Sequence, residues 1–183
     1  MAWVNPSTRA VGAVVTASMW NSDVVANTEF LAKPPSVTVT KTTEQSIAVG
    51  SWRSIAWSAE SWDTNSMWSS TAATRVDINT AGKYLITASV NWSTGGTGDR
   101  RQMGIYAGTA GSTSVAPNIA QAKAHNPGGA SNNPSNHVSA IVSLTSTEVV
   151  RVQVSHNSTA ATTVRHSTAG GEVPRLSVMW MSS

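Results

Sequence analysis

The residue types best able to do chemistry cluster between positions 57 and 68, where Glu60 and Asp63 lie among Trp57, Trp62 and Trp68. Two carboxylates flanking a glycosidic bond can cleave it when a bound sugar holds them at the required separation. Exposed indole faces also suit stacking on saccharide rings. Trp is usually largely buried, so the plainer reading of the same indoles is packing at the edge of a sandwich. A glycan contact through Trp57, Trp62 and Trp68 stands as the sharper alternative, and a glycan-cleaving spike using Glu60 and Asp63 as a weaker one.

Other catalytic signals are missing from the sequence. His125, His137, His156 and His166 show neither HxH nor HExxH spacing, so a zinc site has little support. No GxSxG elbow or Walker loop occurs. Acidic residues are too scattered for a calcium cage. With no cysteine, disulfides and thiol chemistry are excluded. Gly95-Gly96-Thr97-Gly98 precedes a strand rather than a helix, so it reads as a hairpin turn and not as a phosphate cradle. The expectation is a protein that is not an enzyme and carries no metal or cofactor.

At 183 residues the chain can bury one sizeable core. Charged residues are 11% of it, while Ser and Thr together number 49. That balance argues against a charge-rich disordered chain and against a coiled coil. Net charge is +3, but only Arg100 and Arg101 are adjacent, and a nucleic-acid binder clusters its charge on one stripe. No apolar run approaches 18 residues, so no membrane span is expected. Met1 to Pro6 lack a basic region with an apolar run behind it, so no secretory leader is expected and synthesis in a cytoplasm is.

The elements that must position these residues fall into two regions. Residues 1–35 hold the one helix candidate, Thr16 to Leu31, capped by Thr16 or Ser18 and stopped by Pro34-Pro35. Trp20, Val24 and Leu31 recur at helical spacing with Asn27 as the polar member. Trp3, Val11, Val14 and Val15 precede it on an arm whose apolar residues need a partner surface.

From Ser36 to residue 183 the period becomes two. Tyr84, Ile86, Ala88, Val90 and Trp92 point one way, and Lys83, Leu85, Thr87, Ser89 and Asn91 the other. Similar runs surround Val37, Val76, Met103, Val138, Val150 and Leu176. Many strands separated by turn clusters predict an antiparallel sandwich or barrel, each sheet covered on one side. Residues 108–136 read as a long loop, with Val115 and Ile119 seeding one short strand at most.

Three strands break the polar pattern expected of an outward face. Leu85, Ile141, Met179 and Met181 sit there among Thr87, Ser89, Ser139, Ser143 and Ser177. Apolar residues among small ones make a surface that another protein can approach closely.

The run Asn79-Thr80-Ala81-Gly82-Lys83-Tyr84-Leu85-Ile86-Thr87-Ala88-Ser89-Val90-Asn91-Trp92 resembles the aGxYlitasvxW strand of tumour-necrosis-factor-like jelly rolls, a fold shared with complement globular heads. Gly98 to Ile105 is similar to that family's GxRxxxI segment, and Val149 to His156 with Leu176 to Met181 to its last two strands. The resemblance implies an all-β antiparallel jelly-roll sandwich over 36–183, forming homotrimers through the three strands that carry Leu85, Ile141, Met179 and Met181.

Residues Trp3, Pro6, Thr8, Val11-Gly12, Val14-Val15-Thr16-Ala17, Asn21, Asn27 and Leu31 resemble a leader pattern of tailed-bacteriophage structural proteins. Together the two resemblances imply a phage virion protein. Its trimeric domain would be a tail-tip, tail-fibre, head-fibre or capsid-decoration appendage. Its arm, through Trp3, Val11, Val14, Trp20, Val24 and Leu31, would anchor it to other virion proteins. The loops near 93–99, 108–136 and 157–172 would face the host surface. A soluble glycan-binding lectin is the alternative.

Overall fold

The computed structural model describes residues 3, 4, 6, 8–93, 99–112, 118–126, 134–159, 161–166 and 173–183. Two short helical segments, α1 (Ala17–Trp20) and α2 (Ala26–Ala32), flank a π-helical turn at Asn21–Val25. Twelve strands follow: β1 (Ser36–Thr40), β2 (Gln45–Ile47), β3 (Arg53–Ser54), β4 (Ala59–Asp63), β5 (Val76–Asp77), β6 (Gly82–Asn91), β7 (Asp99–Thr109), β8 (Ala120–Asn126), β9 (Ser135–Leu144), β10 (Glu148–His156), β11 (Thr162–Val164) and β12 (Arg175–Ser182). One sheet runs β4-β1-β12-β6-β9. The second runs β3-β10-β7-β8 with β5 beside β10, and β2 pairs β11. Every strand pairing is antiparallel.

The expected alternation makes the core. Tyr84, Ile86 and Val90 of β6 and Leu176, Val178 and Trp180 of β12 meet Met103, Ile105, Val150, Val152 and Val154 from the opposite sheet, all buried. The second sheet departs from the one-sided expectation. Gln102 and Tyr106 of β7, and Val149, Arg151, Gln153 and Ser155 of β10, face away from the core yet are buried. The Arg151 guanidinium lies 5.4 Å from the Tyr106 ring centre and donates to the Ala110 carbonyl at 2.7 Å, so that face is covered from within the chain.

Two further expectations are corrected. Residues 108–136 are not all loop, because β8 pairs with β7 from Asp99↔Asn126 to Ile105↔Ala120. Its sequence, AQAKAHN, has no β-branched residue, so pairing with a long neighbour decides its conformation against propensity. Next, β6 and β7 belong to different sheets, so the connection through Gly95-Gly96-Thr97-Gly98, itself outside the described residues, does not join a hairpin. The buried face of the helix runs through Asn27 and Phe30, and Trp20, Val24 and Leu31, assigned from sequence to the virion anchor, are 55%, 40% and 58% exposed.

The expected cap is present: Thr16 Oγ1 accepts from the Met19 N–H at 3.3 Å. Phe30 packs edge-on to Trp180 at 4.8 Å and to Trp3 at 6.2 Å. The Asn27 amide exchanges hydrogen bonds with the Val4 backbone at 3.0 and 2.8 Å, which lashes the arm to the helix.

One end of the core is polar. Arg101, fully buried, has its guanidinium 5.7 Å from the Trp92 ring centre and donates to Ser158 Oγ at 2.7 Å. Ser158 Oγ lies 2.7 Å from His156 Nδ1, and His156 Nε2 lies 2.8 Å from the Ile47 carbonyl. A carbonyl only accepts, so Nε2 carries the proton and Nδ1 accepts from the Ser158 hydroxyl. The Trp92 indole donates to Asn136 Oδ1 at 2.7 Å.

Burial pushes the His156 imidazole below its ordinary value; the Ile47 bond opposes this and the Arg101 charge adds to it. Folding therefore keeps His156 neutral where the unfolded chain would protonate it. Stability is fully present above the ordinary imidazole value and falls as pH drops below it, by at most about 1.4 kcal/mol per pH unit for one proton. Thermal melts from pH 7.5 down to 5.5 are expected to show a falling Tm, and His156→Gln a flatter dependence over that range. Gly82 has φ +150°, and a Cβ there would run into Trp180 Nε1. Gly82→Ala is expected to cost about 1–3 kcal/mol, read from denaturant unfolding.

Candidate functional site

The surface that stands out is the outward face of the five-stranded sheet. Register fixes its rows. Ser36, Met179, Leu85 and Ile141 lie opposite one another across β1, β12, β6 and β9. The next row is Trp62, Thr38, Ser177, Thr87 and Ser139, and a third is Thr40, Arg175, Ser89 and His137. Directly opposed residues point to the same side of a sheet. The first row is apolar from Met179 to Ile141, the second is small hydroxyls with Trp62 at its β4 end, and the third carries Arg175 and His137.

Ile141 is 62% exposed, Met179 45%, Met181 48% and Trp62 55%, while Leu85 is half-buried. Trp62, Leu85 and Met179 help wall a groove of ≈ 200 Å³. At its floor, Thr38 Oγ1 and Ser177 Oγ bond each other at 2.8 Å. Each hydroxyl oxygen thus has one partner within the chain, which lowers the cost of covering them. A second hollow of ≈ 320 Å³, towards β9, is lined by Thr87, Ser89, His137, Ser139 and Arg175. Arg175 makes no ion pair there: among the described residues the ion pairs are Arg9–Asp23 and Arg75–Asp77.

The four residues picked for an interface thus lie on one continuous sheet, with Leu85 and Ile141 in direct register and Met179 beside them. Trp62 was assigned from sequence to a glycan platform. Its exact opposite on β1 is Thr38, which puts it on the same face. The three indoles do not make a common platform. Trp57 is 2% exposed and sits in the core, and Trp68 is half-buried with its indole donating to the Ala73 carbonyl at 3.4 Å. A buried Trp57 has no ring face to offer a sugar.

The carboxylate pair is also differently employed. Asp63 accepts the backbone N–H groups of Asn65 and Trp68, both at 2.9 Å, and so closes the turn after β4. Glu60 is exposed on β4, the edge strand of the sheet. Among the histidines, His156 belongs to the buried network, His137 lines the cationic hollow, His125 is exposed on β8 and His166 is half-buried. No group of three metal-ligating side chains occurs among the described residues. No helix among them is long and apolar enough to cross a membrane.

Of the residues assigned to the arm, Trp3 is half-buried against Phe30, whereas Val11, Val14, Trp20, Val24 and Leu31 are exposed. Sequence reasoning missed Phe30, the one Phe of the chain, and the cationic pair Arg175 and His137. Counting Arg175 and His137 by strand phase, rather than by charge or metal spacing, would have found the pair. Of the loops assigned to the host side, residues 94–98, 113–117, 127–133, 160 and 167–172 lie outside the described residues.

No protein-family model matches the chain, and no curated protein matches it in sequence. Solved structures do match. Eiger, a TNF from S. frugiperda, superposes with TM-score 0.60 at 11% identity, over 81% of this chain and 94% of that one. Murine APRIL at pH 5.0 gives 0.58 at 11% identity, over 80% and 98%. The globular domain of the zebrafish complement 1qA protein gives 0.54 at 9% identity, over 80% and 97%. At such identities the likeness speaks to architecture alone, and it agrees with the strand order above: the chain has the jelly-roll fold of TNF-type and complement C1q-type domains.

Proposed function

We propose that the chain is a bacteriophage virion structural protein, a homotrimeric surface appendage mounted on the particle by its N-terminal arm. The observation that carries the assembly is the face bearing Ile141, Met179 and Trp62. Three large apolar side chains are bare on one side of a sheet whose other side already fills the core. Burying them between copies removes apolar surface from water at roughly 25 cal/mol per Å². Association of three through this face is also what the jelly-roll resemblance implies.

Support for the virion comes from the leader pattern of residues 3–31 and from the exposure of Val11, Val14, Trp20, Val24 and Leu31. Three arms on one trimer bind with multiplied avidity, because the second and third engage at high effective concentration. The mechanism is non-covalent docking and display, with no reaction. A tail tip, tail fibre, head fibre and capsid decoration all suit a short anchor followed directly by a globular domain.

In sedimentation equilibrium the protein is expected at three times its 19.1 kDa mass. Ile141→Asp, which sets a charge in the apolar band, is expected at the single-chain mass with its native circular-dichroism spectrum retained and its thermal midpoint lowered by the lost association. An Ile141→Asp variant that stays trimeric overturns this face as the interface. Gold-labelled antibody to the chain is expected on intact phage particles of the producing host, clustered at one structural position. Particles without label overturn the virion assignment.

A further inference from the structure

We propose that the hollow bounded by Arg175, His137, Ser89 and Ser139 is a binding site for a small oxyanion of the phosphate class. Its donors all come from one chain, so it needs no second copy.

Register builds the site. Arg175 on β12 lies opposite Ser89 on β6, and Ser89 lies opposite His137 on β9, so the three side chains leave the same face of three neighbouring strands. Two strand spacings put the Arg175 and His137 backbones about 10 Å apart, with Ser89 between them. Thr87 and Ser139 oppose each other in the next row and line the same hollow.

The donors gathered there are unspent. In the adjoining groove the Thr38 and Ser177 hydroxyls bond each other. In the hollow, the Arg175 guanidinium, the His137 ring and the hydroxyls of Thr87, Ser89 and Ser139 make no hydrogen bond or ion pair with any described residue. The charge of the face points the same way. Among the described residues that register places on it, Lys83 and Arg175 are the charged ones, and none is a carboxylate. The acidic residues of β4, Glu60 and Asp63, pair with Val39 and Val37, whose side chains fill the core, so both leave the sheet on its other side.

Donor geometry selects the ion. A guanidinium presents two parallel N–H groups to two oxygens of one group. An imidazole adds a further N–H, and each hydroxyl an O–H. This set suits several oxygens around one centre, as in phosphate, over a spherical chloride. A seated anion also bears on the assembly proposed above. A guanidinium covered without a counter-charge is costly, and the ion supplies that charge.

Isothermal titration calorimetry of inorganic phosphate into the full chain, with chloride holding the ionic strength constant, tests the site. Saturable uptake at one site per chain is expected. Arg175→Gln is expected to weaken it about tenfold or more, and Ser89→Ala about threefold. Lys83→Gln removes the other cation of this face, outside the hollow, and is expected within about twofold of wild type. A parallel titration with glycerol phosphate separates two sources of the same chemistry: uptake of both supports a site open to phosphate esters, and uptake of the inorganic ion alone supports a site for the free ion. No saturable uptake, or equal losses in Lys83→Gln and Arg175→Gln, overturns the site. Sedimentation of the same samples keeps the two readings apart: trimers that take up no phosphate overturn the site alone, and single chains that take it up overturn the assembly alone.

Discussion

A β-sheet has two faces, and a sandwich consumes only one of them. What becomes of the other face governs this molecule. The second sheet disposes of it within the chain: Tyr106, Arg151, Val149 and Gln153 are buried there, and the guanidinium of Arg151 lies over its aromatic neighbour. Among the described residues the five-stranded sheet has no such cover, and Trp62, Ile141 and Met179 are exposed. The asymmetry between the two sheets, rather than exposed apolar residues as such, is what supports the proposed interface, since scattered exposed apolar residues are common on any protein.

The interior supports that face as a stiff platform. Strand β12 joins the two halves of the account. Its inward Trp180 receives Phe30 from the helix, and its outward Met179 lies in the apolar row. The N-terminal region and the exposed apolar face are therefore tied to the same strand. At the far end of the core, the chain from Arg101 through Ser158 and His156 to the Ile47 carbonyl uses directed bonds where apolar packing stops. A buried polar network of this kind fixes a single arrangement more sharply than apolar contacts do.

Legibility in the sequence followed the strength of the local signal. Strand β6 was readable from Lys83 to Asn91 because apolar and polar residues alternate along it, with Leu85 as the one apolar exception. From that phase Leu85 was assigned outward, and Ile141, Met179 and Met181 likewise from their own strands. Strand β8 was not readable, because Ala, Gln, Lys and His alternate without apolar contrast and its conformation comes from β7. Trp62 carried a misleading signal: two other indoles and two carboxylates nearby suggested a sugar site, whereas only the register with Thr38 reveals which way it points. In the helix, Phe30 was not readable as the buried anchor, because its partners Trp3 and Trp180 lie far from it in the chain. Long-range register and contacts of this sort leave no mark in composition or short motifs.

The central claim is that the outward face of the five-stranded sheet is covered when the protein is assembled. Hydroxyl-radical footprinting of the intact chain over a concentration series reads this directly, because methionine and tryptophan side chains oxidise in proportion to their contact with solvent. The account predicts that Met179 and Trp62 are shielded at high concentration and become oxidised on dilution, while Trp20 reacts equally throughout. Equal oxidation of Met179 and Trp62 at every concentration would contradict it.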